Sequence, residues 1–381
     1  MSSTPPTLFE RVMKALQPLI NLDAPGLVSD IYFSASRPVY VNFHREWFPV
    51  AEAVAGAPSE PLTREQLAEC ITYCTHVNTE RSNLMKDLEL KLSEVTDFAI
   101  DWPAPSSDGA IGASHSKWRL RAHVGHSSLG KSLCVRVLPR CPLPLVTLGF
   151  HHSVVELVER PNGLMLVCGA TGGGKSTTIA ALLDHYCKDH RGHVATLENP
   201  IEYVLDSGNL ANRLITQQWV GYHTPSWKTG ILDTLRDQVD LIVIGEIREI
   251  GSLRAAVQVA NSGHLVIAST HHDSAVRVLH HLVSLFPALE QDQARRSLAE
   301  CLIGVLCQNL LPSTNERRPV VPCYELFRSN EESRRLLGSE NFSTLDTFLQ
   351  DNDNCTSWQK CLDELHRRGT ITEDTYARYS R

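Results

Sequence analysis

The sequence lacks the long apolar runs of membrane proteins. No segment reaches about 18 uncharged apolar residues, and the longest candidate, residues 141–155, is interrupted by prolines and histidines. We therefore expect no membrane-spanning helix. The first residues also lack the basic-then-apolar layout of a secretory signal. These absences predict a cytoplasmic protein.

A surplus of basic residues is missing as well. The 381 residues include 36 Lys and Arg against 43 Asp and Glu, which gives a formal net charge of −7. This balance disfavours the overall positive field of non-specific DNA-binding proteins, although it leaves room for a local basic patch. A hydrophobic content of 42% and a charged content of 21% are typical of globular chains. The length predicts two or three domains.

The cysteines form none of the patterns that organise small secreted or metal-binding proteins. There are 11 of them, an odd number, with no Cys-x-x-Cys pair. The closest, Cys70 with Cys74 and Cys355 with Cys361, do not match zinc-ribbon or redox spacings. We expect small buried apolar side chains or exposed thiols instead of disulfides. Histidines occur in adjacent pairs, but adjacent residues point in different directions, which disfavours a metal site.

The first 138 residues have the pattern of a small α+β domain. Helical spacing of apolar residues predicts a short helix within residues 1–25, and a capping box at Thr63 and Gln66 begins another. Alternating residues predict strands at 30–34, 39–43, 97–102, 118–123 and 133–138. A flexible loop is expected at 103–116, and the prolines of 139–149 indicate a linker.

From residue 150 the pattern becomes that of an α/β core. Continuous apolar strands alternate with helices, as they do in parallel sheets that are covered on both faces. The predicted strands lie at 164–168, 194–197, 241–244 and 265–268, and the predicted helices at 177–186, 253–261 and 276–286. We assign residues 150–312 to this core. The chain from residue 292 is predicted to be mostly helical, including a C-terminal region at 313–381.

A glycine-rich segment between the first strand and the first helix of this core matches the phosphate-loop pattern. It consists of Gly169, Ala170, Thr171, Gly172, Gly173, Gly174, Lys175 and Ser176, followed by Thr177. Glycines let successive backbone amides form an anion nest at the positive end of the helix dipole. The segment predicts that Lys175 binds the β- and γ-phosphates of ATP and that the Ser176 hydroxyl binds Mg²⁺. A glycine-rich turn without a ligand is the disfavoured alternative.

Carboxylates at the ends of neighbouring parallel strands face the same crevice as a phosphate loop. One strand leads to Glu246, with Gly245 where many phosphate-loop ATPases have Asp. We predict that Glu246 is the general base or the residue that polarises water; the alternative is a surface glutamate. Glu198 and Glu202 follow another strand and are candidates for positioning Mg²⁺ and water, or for ordinary salt bridges.

A histidine follows the predicted strand at 265–268. At the end of that strand, His271 lies within reach of a γ-phosphate and is a candidate sensor. A core or surface histidine is an equally open reading of the residue on its own. His264, at the other end of the strand, is a weaker candidate.

Together these segments resemble a known family. Residues 169–178 are similar to a Walker A motif, 197–202 to an Asp box, 245–248 to a Walker B motif and 263–271 to a His box. The combination resembles the secretion-ATPase superfamily of type II/IV secretion and type IV pilus ATPases. Its order and spacing are most similar to the PilT-like pilus-retraction branch, including related plasmid conjugation and type IVB secretion ATPases. The four-cysteine zinc motif of pilus-assembly and type II export relatives is absent.

The resemblance implies an architecture and a set of partners. It implies an α/β fold with a RecA-like core, an N-terminal PAS-like domain and a helical C-terminal extension. It also implies a homohexamer that uses ATP and Mg²⁺, with Arg121 and Arg136 as arginine fingers. From the residues alone these two are cations on predicted strands. A motor of this kind docks peripherally, from the cytoplasm, on an inner-membrane platform protein, and we expect no direct contact with nucleic acid.

Some positions depart from the family pattern. Asn199 stands where the Asp box has Asp, and Gln218 and Leu232 stand where Arg is usual. Asn199 cannot act as a carboxylate, which leaves slow hydrolysis open. The first hypothesis is a hexameric motor for pilus retraction or for type IV secretion or conjugation. The alternatives are an ATP-binding regulator or scaffold of the same machine and, less favoured because of the acidic charge, a RecA-like nucleic-acid motor.

Overall fold

The computed structural model describes residues 6–17, 28–43, 46–76, 97–103, 117–128, 130–138, 142–205, 214–315, 318–339 and 342–380. The chain forms two compact units. The first comprises residues 1–141 with 202–207, and the second comprises 142–201 with 208–381. The loop expected at 103–116 lies outside the described residues apart from its first position. The described part of the expected linker contains a short helix.

The first unit is built on a six-stranded antiparallel sheet. Its strands are β1 (Val28–Ser34), β2 (Tyr40–Phe43), β3 (Glu46–Pro49), β4 (Asp97–Pro103), β5 (Lys117–Ser127) and β6 (Gly130–Leu138). They lie side by side in the order β3-β2-β1-β6-β5-β4. The helices are α1 (Leu8–Leu16), α2 (Val50–Ala53) and α3 (Arg64–His76).

Local sequence signals explain how the helices of this unit begin and pack. Thr63 and Gln66 form the predicted capping box: the Gln66 amide donates to Thr63 Oγ1 at 3.2 Å, and the Thr63 amide donates to Gln66 Oε1 at 2.9 Å. On α1, the buried Phe9 stacks on Phe33 of β1 with 5.6 Å between ring centroids. The predicted α+β character of this part of the chain is confirmed.

The second unit contains a seven-stranded sheet. Its strands are β7 (Gly163–Cys168), β8 (His193–Glu198), β9 (Leu214–Trp219), β10 (Leu241–Ile244), β11 (Leu265–Thr270), β12 (Leu302–Pro312) and β13 (Val320–Arg328). Their order is β13-β12-β7-β11-β10-β8-β9, and neighbours are parallel except β12 with β13.

The helices of the second unit surround this sheet along the chain. They are α4 (Leu145–Leu148), α5 (His152–Val158), α6 (Lys175–Asp189), α7 (Trp227–Asp233), α8 (Ile250–Asn261), α9 (Ala275–Ser284), α10 (Gln291–Cys301), α11 (Glu331–Gly338), α12 (Phe342–Asp351), α13 (Trp358–Arg367) and α14 (Glu373–Tyr379). Across the described ranges, no helix combines the length and apolarity that crossing a bilayer requires.

The centre of the seven-stranded sheet confirms the predicted parallel core. Every residue of β7, β10 and β11 is buried, as expected for strands that are covered on both faces. Because β7, β8, β10 and β11 are parallel, their carboxyl ends meet at one edge of the sheet. The segments that follow these four strands therefore lie near one another.

The prediction that the chain from residue 292 is mostly helical is wrong over two segments. Helix α10 leads directly into β12, which lies between β7 and β13 in the sheet. The first seven residues of β12 are buried, and a continuous apolar run of this length is compatible with a buried strand or a buried helix. Only the parallel pairing with β7 decides between them. The helices α11 to α14 follow β13, so the helical prediction holds from residue 331 onward.

The cysteines behave mainly as apolar side chains. Within the described ranges none forms a disulfide, and all except Cys134 are buried. Burial raises the pKa of Cys70 to about 12 and the pKa of Cys301 to about 12. These thiols therefore remain neutral and unreactive at physiological pH. Of the two expectations for the cysteines, burial is the one that the structure confirms for most of them.

A buried carboxylate fastens the start of α9 to β13. Glu325 is 4% exposed, and its Oε1 accepts a hydrogen bond from the Ala275 amide at 2.6 Å. Ala275 is the first residue of α9, where the amides lack partners within the helix and the dipole is positive. Replacing Glu325 with alanine is expected to lower the free energy of unfolding by about 1–3 kcal/mol in a denaturant titration. An equal loss from Glu300→Ala, at an exposed position on α10, would contradict this role.

Candidate functional site

The glycine-rich loop connects β7 to α6, as the sequence predicts. Gly169, Gly172 and Gly174 have φ angles of 153°, 75° and 85°, which glycine adopts without the steric cost of a side chain. The Gly173 amide donates to the Ala170 carbonyl at 3.0 Å and closes a turn within the loop. Gly174 directly precedes α6, so the loop ends at the positive end of that helix. This is the geometry of an anion-binding loop.

The Lys175 side chain folds back over the loop. Its Nζ lies 2.8 Å from the Gly169 carbonyl oxygen and 3.0 Å from the Ala170 carbonyl oxygen. Nδ1 of His271 lies 3.3 Å from the same nitrogen. An ammonium group has three protons and can donate to all three acceptors. The loop thus holds the positive charge of Lys175 at the start of α6.

His271 connects Lys175 to Glu246. These two residues follow β11 and β10, which are neighbours in the sheet. Nε2 of His271 lies 2.7 Å from Oε1 of Glu246, and Oε2 of Glu246 lies 2.6 Å from a guanidinium nitrogen of Arg248. The Glu246 side chain is only 18% exposed. Three of the residues singled out in the sequence, Lys175, His271 and Glu246, therefore form one connected group.

The contacts of His271 indicate where its proton lies. An ammonium group can only donate, so Nδ1 accepts from Lys175 and carries no proton. In the neutral imidazole the proton is then on Nε2, which faces the Glu246 carboxylate; this assignment follows from the hydrogen-bond network. A ligand that draws Lys175 away from His271 would leave Nδ1 free to accept another proton.

Close packing explains why glycine occupies position 245. The Gly245 amide donates to the Leu197 carbonyl of β8 at 2.7 Å, and a Cβ on Gly245 would lie 3.0 Å from that oxygen. The Ile247 amide donates to the Ser269 carbonyl of β11 at 2.8 Å. The turn after β10 is thus tied to both neighbouring strands and has no room for an aspartate without a shift. Glu246 carries the carboxylate of this turn instead.

Glu202 is grouped with the first unit. Its Oε1 accepts a hydrogen bond from Arg121 of β5 at 2.8 Å. Arg136 of β6 is the register partner of Arg121 and donates to Asp30 at 2.8 Å. Although burial lowers it, the charge and hydrogen bond of Asp30 raise the pKa of Arg136 above its ordinary value. Each candidate arginine finger is therefore paired with a carboxylate of its own unit, and Glu202 forms the salt bridge that was one of its two alternatives.

A family comparison can now be set beside this geometry. The model of a family described as "Type II/IV secretion system protein" matches residues 107–373. That range is well over half of the chain and contains the glycine-rich loop, Glu246 and His271. The chain belongs to the type II/IV secretion ATPase family.

Individual relatives agree with this membership. The ATPase is 27% identical over 358 residues to the type IV pilus retraction ATPase PilT of Pseudomonas aeruginosa, a match that covers 93% of this chain and 95% of that protein. It is 40% identical over 210 residues to the uncharacterized protein YggR of Escherichia coli K12, covering 55% of this chain and 63%, less than two thirds, of YggR. A crystal structure of the pilus retraction motor PilT with bound ADP matches with a TM-score of 0.76 and 26% identity, covering 98% of this chain and 97% of that one.

Neighbouring side chains hold the two polar residues at the end of β8. Oε1 of Glu198 accepts hydrogen bonds from Thr196 Oγ1 at 2.7 Å and from Gln217 Nε2 at 3.1 Å. Oδ1 of Asn199 accepts a hydrogen bond from the indole of Trp219 at 3.1 Å. In this ATPase, the Asp-box position is thus a neutral amide that a tryptophan of β9 orients.

Gln308 also contacts the loop of the ATPase, although no sequence motif marks it. Its Nε2 donates to the Gly173 carbonyl at 2.7 Å. Gln308 lies on β12, within the segment that was predicted to be helical. The one sequence signal that could have found it is the interruption of an apolar run, 302–311, by two polar residues.

The other histidine candidates of the ATPase lie apart from the loop or make no metal site. His264 precedes β11, at the opposite end of the strand from His271, and its Nδ1 lies 3.2 Å from the Ser262 hydroxyl. Among the residues that the structure describes, no group of three or more His, Cys, Asp or Glu side chains is arranged to hold a metal ion.

Proposed function

We propose that this ATPase is a ring-forming motor that powers type IV pilus retraction or a type IV secretion or conjugation machine. The connected group of Lys175, His271 and Glu246 carries the proposal, because it joins a phosphate-binding cation to an acid that can activate water. The match to PilT along almost the full length of both chains supports the assignment to a motor.

In the proposed site the residues have distinct roles. The loop amides and Lys175 bind the β- and γ-phosphates, and the ammonium charge offsets negative charge that develops during transfer. Glu246 accepts a proton from the attacking water. His271 contacts both groups and senses the γ-phosphate, while Glu198 positions water.

The start of α6 also suits a divalent cation. Ser176 is exposed there, and hydroxyl, carboxylate and phosphate oxygens are the ligands that Mg²⁺ prefers. In the proposal Ser176 holds this ion. When bound, Mg²⁺ would supply further positive charge at the phosphates.

The proposed assembly is a homohexamer with Arg121 and Arg136 as arginine fingers. Their guanidinium groups belong to register partners on β5 and β6, so both can serve one anion. Glu202 and Asp30 now hold these groups, and phosphate would have to compete with those carboxylates. The ring would dock peripherally, from the cytoplasm, on an inner-membrane platform protein without direct contact to nucleic acid.

Asn199 favours a second candidate, an ATP-binding regulator or scaffold of the same machine. The residue offers a neutral amide where the family has a carboxylate, and Trp219 occupies its oxygen. Slow turnover would suit a protein that acts by binding ATP. The two candidates differ in whether hydrolysis is needed in the cell.

The test of the motor is deletion of the gene followed by complementation, scored for pilus retraction and for transfer of DNA or protein. We expect the wild-type gene to restore the lost activity and Lys175→Ala not to restore it. In solution, the 42.4 kDa chain is expected to have the mass of a hexamer when ATP is present. A protein that stays monomeric with ATP and hydrolyses none would overturn the proposal.

A further inference from the structure

We propose that Gln308 is a positioning residue of the phosphate loop, whose side-chain amide keeps the Gly173 carbonyl turned away from bound phosphates. The proposal rests on the function proposed above, because it assigns the loop to the phosphates of ATP. It adds a residue outside the four motifs, on the strand next to β7.

An anion nest works only if its carbonyl oxygens point elsewhere, since a carbonyl dipole aimed at a phosphate repels it. Lys175 occupies the carbonyls of Gly169 and Ala170. The Gly174 carbonyl accepts the Thr178 amide at 2.9 Å, within α6. All three of these carbonyls are thus bound by groups of the loop and its own helix.

The Gly173 carbonyl is held from a different element. Gln308 of β12 donates to it at 2.7 Å, and the Gln308 side chain is almost fully buried, with 3% exposure. A buried hydrogen bond of this kind has no water to replace it if the donor is removed. The orientation of this peptide in the loop therefore depends on a side chain that the loop itself does not supply.

The backbone of Gln308 approaches the loop as closely as its side chain does. A Cβ added to Gly169 would lie 2.4 Å from the Gln308 carbonyl oxygen, and one added to Gly174 would lie 3.0 Å from Gln308 Nε2. The first and last glycines of the loop both pack on this one residue. Gln308 therefore sets the floor on which the loop rests.

The other half of the Gln308 amide shows which half matters. Oε1 is buried and has no hydrogen-bond partner within the described part of the chain. A buried acceptor without a partner is unfavourable, so a side chain selected only to fill space here would not be an amide. The donor on Nε2 is the group that justifies glutamine at this position.

The decisive variant is Gln308→Met, which keeps the length of the side chain and removes the donor together with the unpartnered acceptor. We expect the KM for ATP to rise on the order of tenfold or more, with a smaller change in kcat. The increase in Tm on adding ATP should shrink by the corresponding amount. Gln308→Glu keeps the shape and places an acceptor against the Gly173 carbonyl, so it should weaken ATP binding further.

Gln291→Met is the matched control. Nε2 of Gln291 also donates to a backbone carbonyl, that of Phe286 at 3.0 Å, but on α10. Its loss is expected to affect stability alone and to leave the KM and the ATP-induced Tm shift unchanged. If Gln308→Met behaves like Gln291→Met, or keeps the wild-type KM, the proposal is overturned.

The readouts separate this proposal from the motor itself. A wild-type protein that binds ATP without hydrolysing it would count against the motor, whereas the ATP-induced Tm shift would still compare Gln308→Met with the wild type. Should Gln308→Met fail to fold, Gln308→Glu replaces it in the same measurement, because glutamate matches glutamine in size and polarity. A wild-type Tm shift in that folded variant would then overturn the role of Gln308.

Discussion

Replacing Lys175 with alanine is expected to reduce ATP hydrolysis by at least about 10²–10³-fold, measured as phosphate release at saturating ATP. The ammonium group has no substitute in the loop, since the remaining donors are backbone amides. Its loss also removes the donor that occupies the carbonyls of Gly169 and Ala170. Those oxygens would then be free to face the phosphates, so we expect ATP affinity to fall together with kcat.

Lys188→Ala is the control for this variant. Lys188 lies on the same helix, is 57% exposed and pairs with Asp184 at 2.6 Å. Such surface pairs contribute little to stability, so phosphate release should stay at the wild-type rate. Wild-type turnover in Lys175→Ala would show that this loop is not where ATP reacts.

Replacing Glu246 with glutamine is expected to lower kcat by about 10²–10⁴-fold while ATP affinity stays close to that of the wild type. Glutamine has the size of glutamate and can still accept a hydrogen bond from Nε2 of His271. It cannot take a proton from water. The loss should therefore lie in the chemical step, which single-turnover measurements with bound ATP would show.

Glu249→Gln is the matched control for this second prediction. Glu249 is exposed and immediately precedes α8, three positions after Glu246. Its turnover should equal that of the wild type. Normal kcat in Glu246→Gln would assign the base to another carboxylate, for which the bonded Glu198 is the candidate.

The same variant separates the motor from the regulator in the cell. A motor needs the chemical step, so Glu246→Gln should fail to restore pilus retraction or transfer. A protein that acts by binding ATP would be restored by Glu246→Gln, because the variant retains affinity. Restoration would therefore favour the alternative that Asn199 suggests.

Much of the second unit was predictable from the sequence. The strands β7, β8, β10 and β11 are continuous apolar runs, and such runs bounded by turns indicate buried parallel strands when helices alternate with them. The loop after β7 was recognisable for a different reason. A nest of amides requires glycines at fixed offsets, so the chemistry is visible in the residue order itself.

Other features could not be read in this way. β12 is also an apolar run, but it follows α10 without a turn signal and was predicted to be helical. Glu202 was left with two alternatives, because a sequence position does not say which partner a carboxylate reaches. Gln308 belonged to no motif, because its partner Gly173 is distant in the chain and is brought near only by the pairing of β12 with β7.

The sequence by itself determined the membership, the phosphate loop and the order of strands and helices around it, because these depend on local spacing and on residue type. Only the tertiary structure decided that His271 lies between Lys175 and Glu246 and that Gly245 leaves no room for an acid. It also decided that a glutamine of β12 supports the loop. These contacts join segments that follow or form different strands of one sheet, and their distances depend on strand order and register, which no local pattern encodes.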